Sequence, residues 1–360
     1  MPRTLGVEEE FHLVDLTSRR LAARAPELLP QLSNHFVAEM QSCVVEMNSA
    51  VVDDLAALRA DLHKHRSELI CAATGLGLGA VAAGAVPLSA PGQMPVTAEA
   101  RYRRMLADYQ LLARQQLICG TQVHVGVDDR DEAVAVAHRV APYLPTLLAL
   151  SVSSPFWSDG SDTGYASVRT LVWQRWPTTG LSAPVTTAAA YDKLVADLIA
   201  TGVIADAGMV YFDVRPGVAT PTVELRVCDS CPSLDTVMLI AALFRALVDR
   251  ELDNVRAGRP GIDVATPLGR AALWRAARSG LEGELVDIGG PAARPARQVV
   301  TDLVHLLTPQ LEACGDLNAV TDLAALTLAQ GSSALRQRRV LRRRGKLTDV
   351  VDALICDTAG

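Results

Sequence analysis

The chain has 360 residues, 49% of them hydrophobic, enough to bury a large core in one domain or two. A net charge of −6 excludes the strong basic excess of a nucleic-acid-binding surface. Seven cysteines, with Cys228 and Cys231 as a lone Cys-x-x-Cys, form neither a zinc-spaced set nor a disulfide framework, so reduced and mostly buried thiols are expected.

The first residues lack the apolar stretch of a signal peptide and run into Glu8, Glu9 and Glu10, which predicts a soluble, cytoplasmic protein. Residues 5–16 read as a strand and 37–47 as a further extended stretch. Leu55, Leu58, Leu62, Leu69 and Ile70 carry helical periodicity over 53–73, with Asp53 or Asp54 as the N-cap. The uncharged run 69–90 holds Gly75, Gly77, Gly79, Gly84 and Pro87, which predicts a helix leading into a buried strand over 77–87 and no membrane span.

Residues 99–119 predict a second amphipathic helix, followed by a strand around His124. Residues 131–150 predict a third helix, interrupted near Pro142 and Pro145. The stretch 151–182 is rich in loop residues, contains Trp157, Trp173 and Trp176, and is expected to cover substrate. Beyond it come a helix over 191–201, two strands in 211–229 joined by a turn at Pro216 and Gly217, and a long apolar helix over 234–256. The remainder alternates helices with Gly and Pro breaks and ends in an arginine-rich segment. With no repeat or linker, the pattern predicts one α+β domain over 1–360, an antiparallel or mixed sheet backed by helices.

Chemistry enters through alternation. Side chains two apart on a strand share a face, so Glu8 pairs with Glu10, Gln122 with His124, and Glu224 with Arg226, while Val123, Val125, Leu225 and Val227 line the opposite face. Two carboxylates about 7 Å apart at the backbone can converge on a cation, and unneutralised they repel. Oxygen-only ligands favour Mg²⁺ or Mn²⁺ over zinc. Glu46 and Glu224 each interrupt an apolar strand and are the best additional ligands, and Arg226 suits a phosphate oxygen. Glu9 shares the parity of Val7 and Phe11, and Glu39 has the parity opposite to Glu46; both are expected to be supporting residues. His124 alone reads as an ordinary sheet histidine. Phosphate-loop, dinucleotide and nucleophile-elbow signatures fail on spacing or context.

Short segments in a fixed order resemble a known family. They include Gly6-Val7-Glu8-Glu9-Glu10-Phe11, Glu39-Met40-Gln41-Ser42, Val123-His124-Val125, Ser153-Ser154-Pro155-Phe156-Trp157 and Asp162-Thr163-Gly164-Tyr165-Ala166-Ser167-x-Arg169. Further on stand Asp213-Val214-Arg215-Pro216, Thr222-Val223-Glu224-Leu225-Arg226-Val227-x-Asp229, Trp274-Arg275-Ala276-Ala277-Arg278-x-Gly280 and Ala334-x-Arg336-Gln337-Arg338. Together they resemble the type 2 glutamate–cysteine ligases, or carboxylate–amine ligases.

The resemblance implies a fold similar to the glutamine synthetase catalytic domain, with one polar active-site sheet face and helices packed on the other. It also implies ATP and Mg²⁺ dependence. The expected reaction joins a carboxylate, the γ-carboxylate of glutamate by family name, to an amine such as cysteine through an acyl phosphate. Glu8, Glu10, Glu46 and Glu224 would hold metal, Arg226 would contact nucleotide phosphate, and Glu224 and Glu10 would join Arg226 in binding the cofactor. Arg169 and Arg215 are candidates for a substrate carboxylate or the acyl phosphate. Expected partners are ATP and small amino-acid substrates, with neither nucleic acid nor membrane; a homo-oligomer is left open. The chain departs from the family at Gln122-Val123-His124, where many members carry His-x-His, and at Gly84-Ala85-Val86-Pro87, where the family has Gly-Thr-His-Pro. Gln122 could coordinate through its carbonyl oxygen or bind substrate. The alternatives are a ligase for another carboxylate–amine pair and a non-catalytic protein that binds nucleotide or amino acid on the same scaffold.

Overall fold

The computed structural model describes residues 2–89, 94–182, 184–287, 290 and 292–360. Met1 and Ala90, the end of the uncharged run, lie outside them. Alternating burial along Leu5–Asp15 makes it the central strand of a seven-stranded sheet, because an extended chain sends successive side chains to opposite faces. In chain order the strands are β1 (Leu5–Asp15), β2 (Phe36–Ala38), β3 (Val44–Asn48), β4 (Leu78–Val81), β5 (Thr121–Gly126), β6 (Val214–Pro216) and β7 (Thr222–Leu225).

The spatial order is β2-β3-β1-β5-β7-β6, with β4 pairing the C-terminal half of β1, and every pairing is antiparallel. One face carries Leu5, Val7, Phe11, Val123, Val125, Val223 and Leu225, all buried. The helices Leu55–Gly75, Arg130–Val140 and Leu234–Arg256 pack on the sheet and close the main core. A separate antiparallel pair, Glu284–Asp287 with Ala292–Pro295, lies outside this sheet.

Helix boundaries follow local signals where those exist. Asp54 caps Leu55–Gly75 by accepting from the Ala57 amide at 2.7 Å. The segment Arg130–Ser151 is long and apolar enough to cross a membrane by length and composition, yet 83% of its most apolar window is buried in the core. It is divided by the turn Ala141–Tyr143, where Pro142 stands.

Three expectations need correction. The stretch 37–47 is two strands, β2 and β3, separated by a turn. The helix over 99–119 breaks into Ala100–Tyr109 and Leu111–Arg114 at Gln110, whose φ of 47° no right-handed helix tolerates. The loop-rich 151–182 contains the helix Val168–Trp173, whose N-cap Ser167 accepts from the Thr170 amide.

Glu9 points to the helix side of β1 and is fully buried. Arg66 binds it bidentately at 2.6 and 3.0 Å. The remaining guanidinium protons go to the carbonyls of Cys231, Pro232 and Thr358. Glu9 is therefore structural, as its parity indicated. All seven cysteines are free thiols, and Cys43, Cys119, Cys228 and Cys231 are buried.

Candidate active site

Strand register assembles the polar face. Glu8 lies opposite Asn48 on β3 and Gln122 on β5, and Glu10 lies opposite Glu46 on β3. His124 stands opposite Glu224 on β7, and Glu224 opposite Arg215 on β6. Because all these residues share parity, the side chains form one continuous row across five strands.

Two groups in this row could hold a cation. Glu8, His124 and Glu224 present donor atoms within 4.8 Å of one another, and so do Glu10, Glu39 and Glu46. His124 Nε2 faces Glu8 Oε1 at 3.2 Å, while its Nδ1 meets the Thr222 hydroxyl at 3.1 Å. The structure therefore gives His124 a place in an acidic cluster as well as an ordinary sheet contact.

Burial is the main force on the second group. It pushes Glu10 up to about 7, aided by the Glu39 charge, although Arg169, the Gly120 amide and Arg226 pull the other way. Burial also raises Glu39. Glu46 rises well above the carboxylate range through burial and the charges of Glu8, Glu39 and Glu10. Glu224 behaves oppositely. Burial works against its charge, yet the guanidiniums of Arg226 and Arg215 hold it at about 2.

The three arginines differ in what remains free. Arg215 is consumed: Nε donates to Glu224 Oε2 at 2.9 Å, and another nitrogen donates to the carbonyls of Val210 at 2.6 Å and Gly208 at 3.2 Å. It braces Glu224. Arg226 donates to Gln122 Oε1 at 2.5 Å and to Glu224, and its guanidinium stacks on Trp173 and Tyr211. Arg169 is buried against Trp173 and donates weakly, at 3.2 and 3.3 Å, to the carbonyls of Val227 and Arg226. The Nε atoms of Arg169 and Arg226 have no hydrogen-bond partner among the described residues.

Two cavities meet at Arg226. The smaller, about 180 Å³, is lined by Glu10, Glu39, Gln122, Arg169 and Trp173 among others. The larger, about 490 Å³, exposes Glu8, His124 and Glu224 beneath an apolar rim that includes Val51 and Val218. Arg226 lines both.

Glu8, Glu10, Glu46, Glu224, Gln122, His124, Arg169, Arg215 and Arg226 thus all reach the same sheet face or its edge. Glu39, expected in a supporting role, stands in this row as well: the turn between β2 and β3 brings its carboxylate to Glu10 and Glu46 despite opposite parity. Tyr211 and Asp229 carried no expected role, and Trp173 only that of its substrate-covering stretch; Trp173 stands four residues after Arg169 on one helix, a spacing that signals a shared face. Chemically, the clusters offer mostly carboxylate oxygens, a donor set that fits Mg²⁺ or Mn²⁺, with Glu8, His124 and Glu224 around one site and Glu10, Glu39 and Glu46 around the other.

The model of glutamate–cysteine ligase family 2 matches residues 4–353. A Mycolicibacterium smegmatis protein named "Putative glutamate–cysteine ligase 2-2" is 70% identical over 358 residues, covering 99% of this chain and 90% of that protein. A Rhodococcus jostii protein named "Putative glutamate–cysteine ligase 2-3" is 64% identical over 360 residues; the chain spans only 45% of its length. Among solved structures, a bifunctional glutathione synthetase from Pasteurella multocida superposes with a TM-score of 0.75 at 14% identity, covering 99% of this chain and 52% of that one. A glutamate–cysteine ligase from Francisella tularensis, in complex with AMP, gives 0.68 at 12% identity, covering 100% and 89%. These two likenesses establish the shared fold.

Proposed function

The chain belongs to glutamate–cysteine ligase family 2, and from that membership we propose that it is an ATP-dependent ligase joining a carboxylate to an amine through an acyl phosphate. By family name the carboxylate is the γ-carboxylate of glutamate and the amine is cysteine or another amino acid. The observation that carries the reading is Arg226, which borders two cavities with a carboxylate cluster beside each.

In this reading the larger cavity takes the nucleotide against its apolar rim, and the smaller one takes the carboxylate substrate. The nucleotide's γ-phosphoryl group then lies next to Arg226. Divalent cations held by the two clusters would neutralise phosphate charge during transfer. Arg226 supplies fixed positive charge to the transferring group. Glu224 and Gln122 hold its guanidinium from one side, and Trp173 and Tyr211 support it from the other. Arg215 keeps Glu224 ionised and in place. Arg169 offers a second cation to the substrate carboxylate as its oxygen becomes bonded to phosphorus. In this reading the substrates, once bound, fill the smaller cavity and displace water from beside the activated acyl group, which favours attack by the amine over hydrolysis.

The test is product analysis with Mg-ATP, glutamate and a panel of amines, then other carboxylates. ADP and amide in a one-to-one ratio support the proposal. Nucleotide binding without turnover across the panel supports a non-catalytic binding protein instead.

A further inference from the structure

Asp229 lies four residues beyond β7, fully buried, and touches neither cavity. Its carboxylate nevertheless sits at the centre of a hydrogen-bonded network. One oxygen accepts from the Ser154 hydroxyl at 2.7 Å and the Ser153 amide at 3.0 Å; the other accepts from the Ser167 hydroxyl at 2.7 Å. Both hydroxyls pass the constraint on. Ser154 Oγ accepts the Arg169 amide at 3.1 Å, and Ser167 Oγ accepts the Thr170 amide at 3.1 Å. The first turn of the helix Val168–Trp173 is thereby tied to the strand-end segment that also carries Arg226.

Two glycines give the same connection from independent directions. A Cβ at Gly84 would stand 2.5 Å from Asp229 Oδ2, so the turn Gly84–Pro87 can pass only without a side chain there. A Cβ at Gly120 would stand 2.5 Å from an Arg169 guanidinium nitrogen, so the guanidinium passes directly over this glycine. Its own hydrogen bonds there are long, at 3.2 and 3.3 Å, and Nε has no partner among the described residues. Where the guanidinium projects therefore depends on the helix turn beneath it.

We propose that Asp229 is the positioning residue for Arg169, acting through Ser154 and Ser167 to fix the helix turn that projects the guanidinium into the substrate cavity. The proposal rests on the reading of Arg169 as the substrate carboxylate's partner. It separates Asp229 from the acidic residues of the sheet face: the same residue type serves there to hold cations and here to hold a backbone turn.

A double-mutant cycle tests it. Asp229→Asn lowers kcat/KM for the carboxylate by about 10-fold or more and leaves KM for ATP within about two-fold. In an Arg169→Gln background the same change costs less than about two-fold further, because the interaction it acts through is already gone. Ser154→Ala and Ser167→Ala repeat the cycle with the Asp229 carboxylate in place, each deleting one relay hydroxyl and one of its three donors, which keeps the test decisive if Asp229→Asn folds poorly. Equal losses in both backgrounds, or wild-type kinetics for Asp229→Asn, overturn the proposal. Hydrogen exchange at amides 168–170 provides a readout without turnover, and is expected to speed up about 10-fold or more in Asp229→Asn. A wild type inert on every substrate sinks the proposed reaction, and unchanged exchange then sinks the positioning role separately.

Discussion

Glu10 on β1 faces Glu46 on β3 in direct antiparallel register, and Glu39 closes the group from the turn before β3. None of the three makes an ion pair among the described residues, and burial raises all three above the ordinary carboxylate range. Such an arrangement stores repulsion that a divalent cation held there would relieve.

The pH dependence follows with a definite sign. Glu10 shifts from an ordinary 4.5 to about 7, so the metal-free folded chain holds a proton that the unfolded chain releases earlier. Stability of the metal-free protein therefore falls as pH rises through this window and stays lower above it. Mg²⁺ is expected to raise the Tm by roughly 2–4 °C or more at pH 7.5 and by little at pH 5, where protons compete. Thermal unfolding with and without Mg²⁺ at both pH values checks this; an equal gain at both would contradict the clustered-carboxylate assignment.

Glu224→Gln removes the negative charge shared by Arg215 and Arg226 and turns one of its two acceptor oxygens into a donor. Breaking a buried pair by deleting one partner costs about 3–5 kcal/mol. Turnover is expected to fall by about 10³-fold, since both a candidate cation ligand and the brace of Arg226 are lost. Denaturant unfolding and ADP release measure the two losses; near-normal turnover would refute the role.

Gln122→His restores the family's His-x-His. In this chain Gln122 Oε1 accepts from Arg226 at 2.5 Å while its amide nitrogen reaches Glu10 Oε1 at 3.4 Å. An imidazole cannot supply both contacts with the amide's geometry. The variant is expected to lose about 10-fold in turnover with Mg²⁺ and to bind Mn²⁺ or Zn²⁺ more tightly, as nitrogen ligands favour them. Turnover and metal titrations across the three ions decide; unchanged metal preference would leave Gln122 outside the cation sites.

Arg66→Met uncovers Glu9 inside the core. A loss of about 3–5 kcal/mol is expected, because a buried carboxylate is left without its partner. Urea unfolding of the variant and the wild type reads the loss, and a change below about 1 kcal/mol would contradict the pairing argument.

The sheet's active face was legible because strand alternation is local: Glu8, Glu10, Gln122, His124 and Glu224 could be placed by counting in twos. The helix Leu234–Arg256 was legible from its long apolar stretch. Glu39 was hidden by a turn that breaks parity and is pinned by distant contacts, among them the Ser42 amide on the Pro95 carbonyl. That Arg215 also ties to the Val210 and Gly208 carbonyls while lining the larger cavity was not legible, because those carbonyls lie on an irregular segment before its strand. Asp229 carried no expected role because its partners Ser153, Ser154 and Ser167 stand 62–76 residues away in the chain.

The central claim is tested most directly by following carboxylate oxygen. Glutamate labelled with ¹⁸O in its γ-carboxylate, or the carboxylate that the substrate panel identifies, is turned over with Mg-ATP and amine, and the phosphate products are weighed by mass spectrometry. The account expects one ¹⁸O in orthophosphate for each amide formed, with ADP as the nucleotide product. Label in AMP, or amide formed with unlabelled orthophosphate, would contradict an acyl phosphate made beside Arg226.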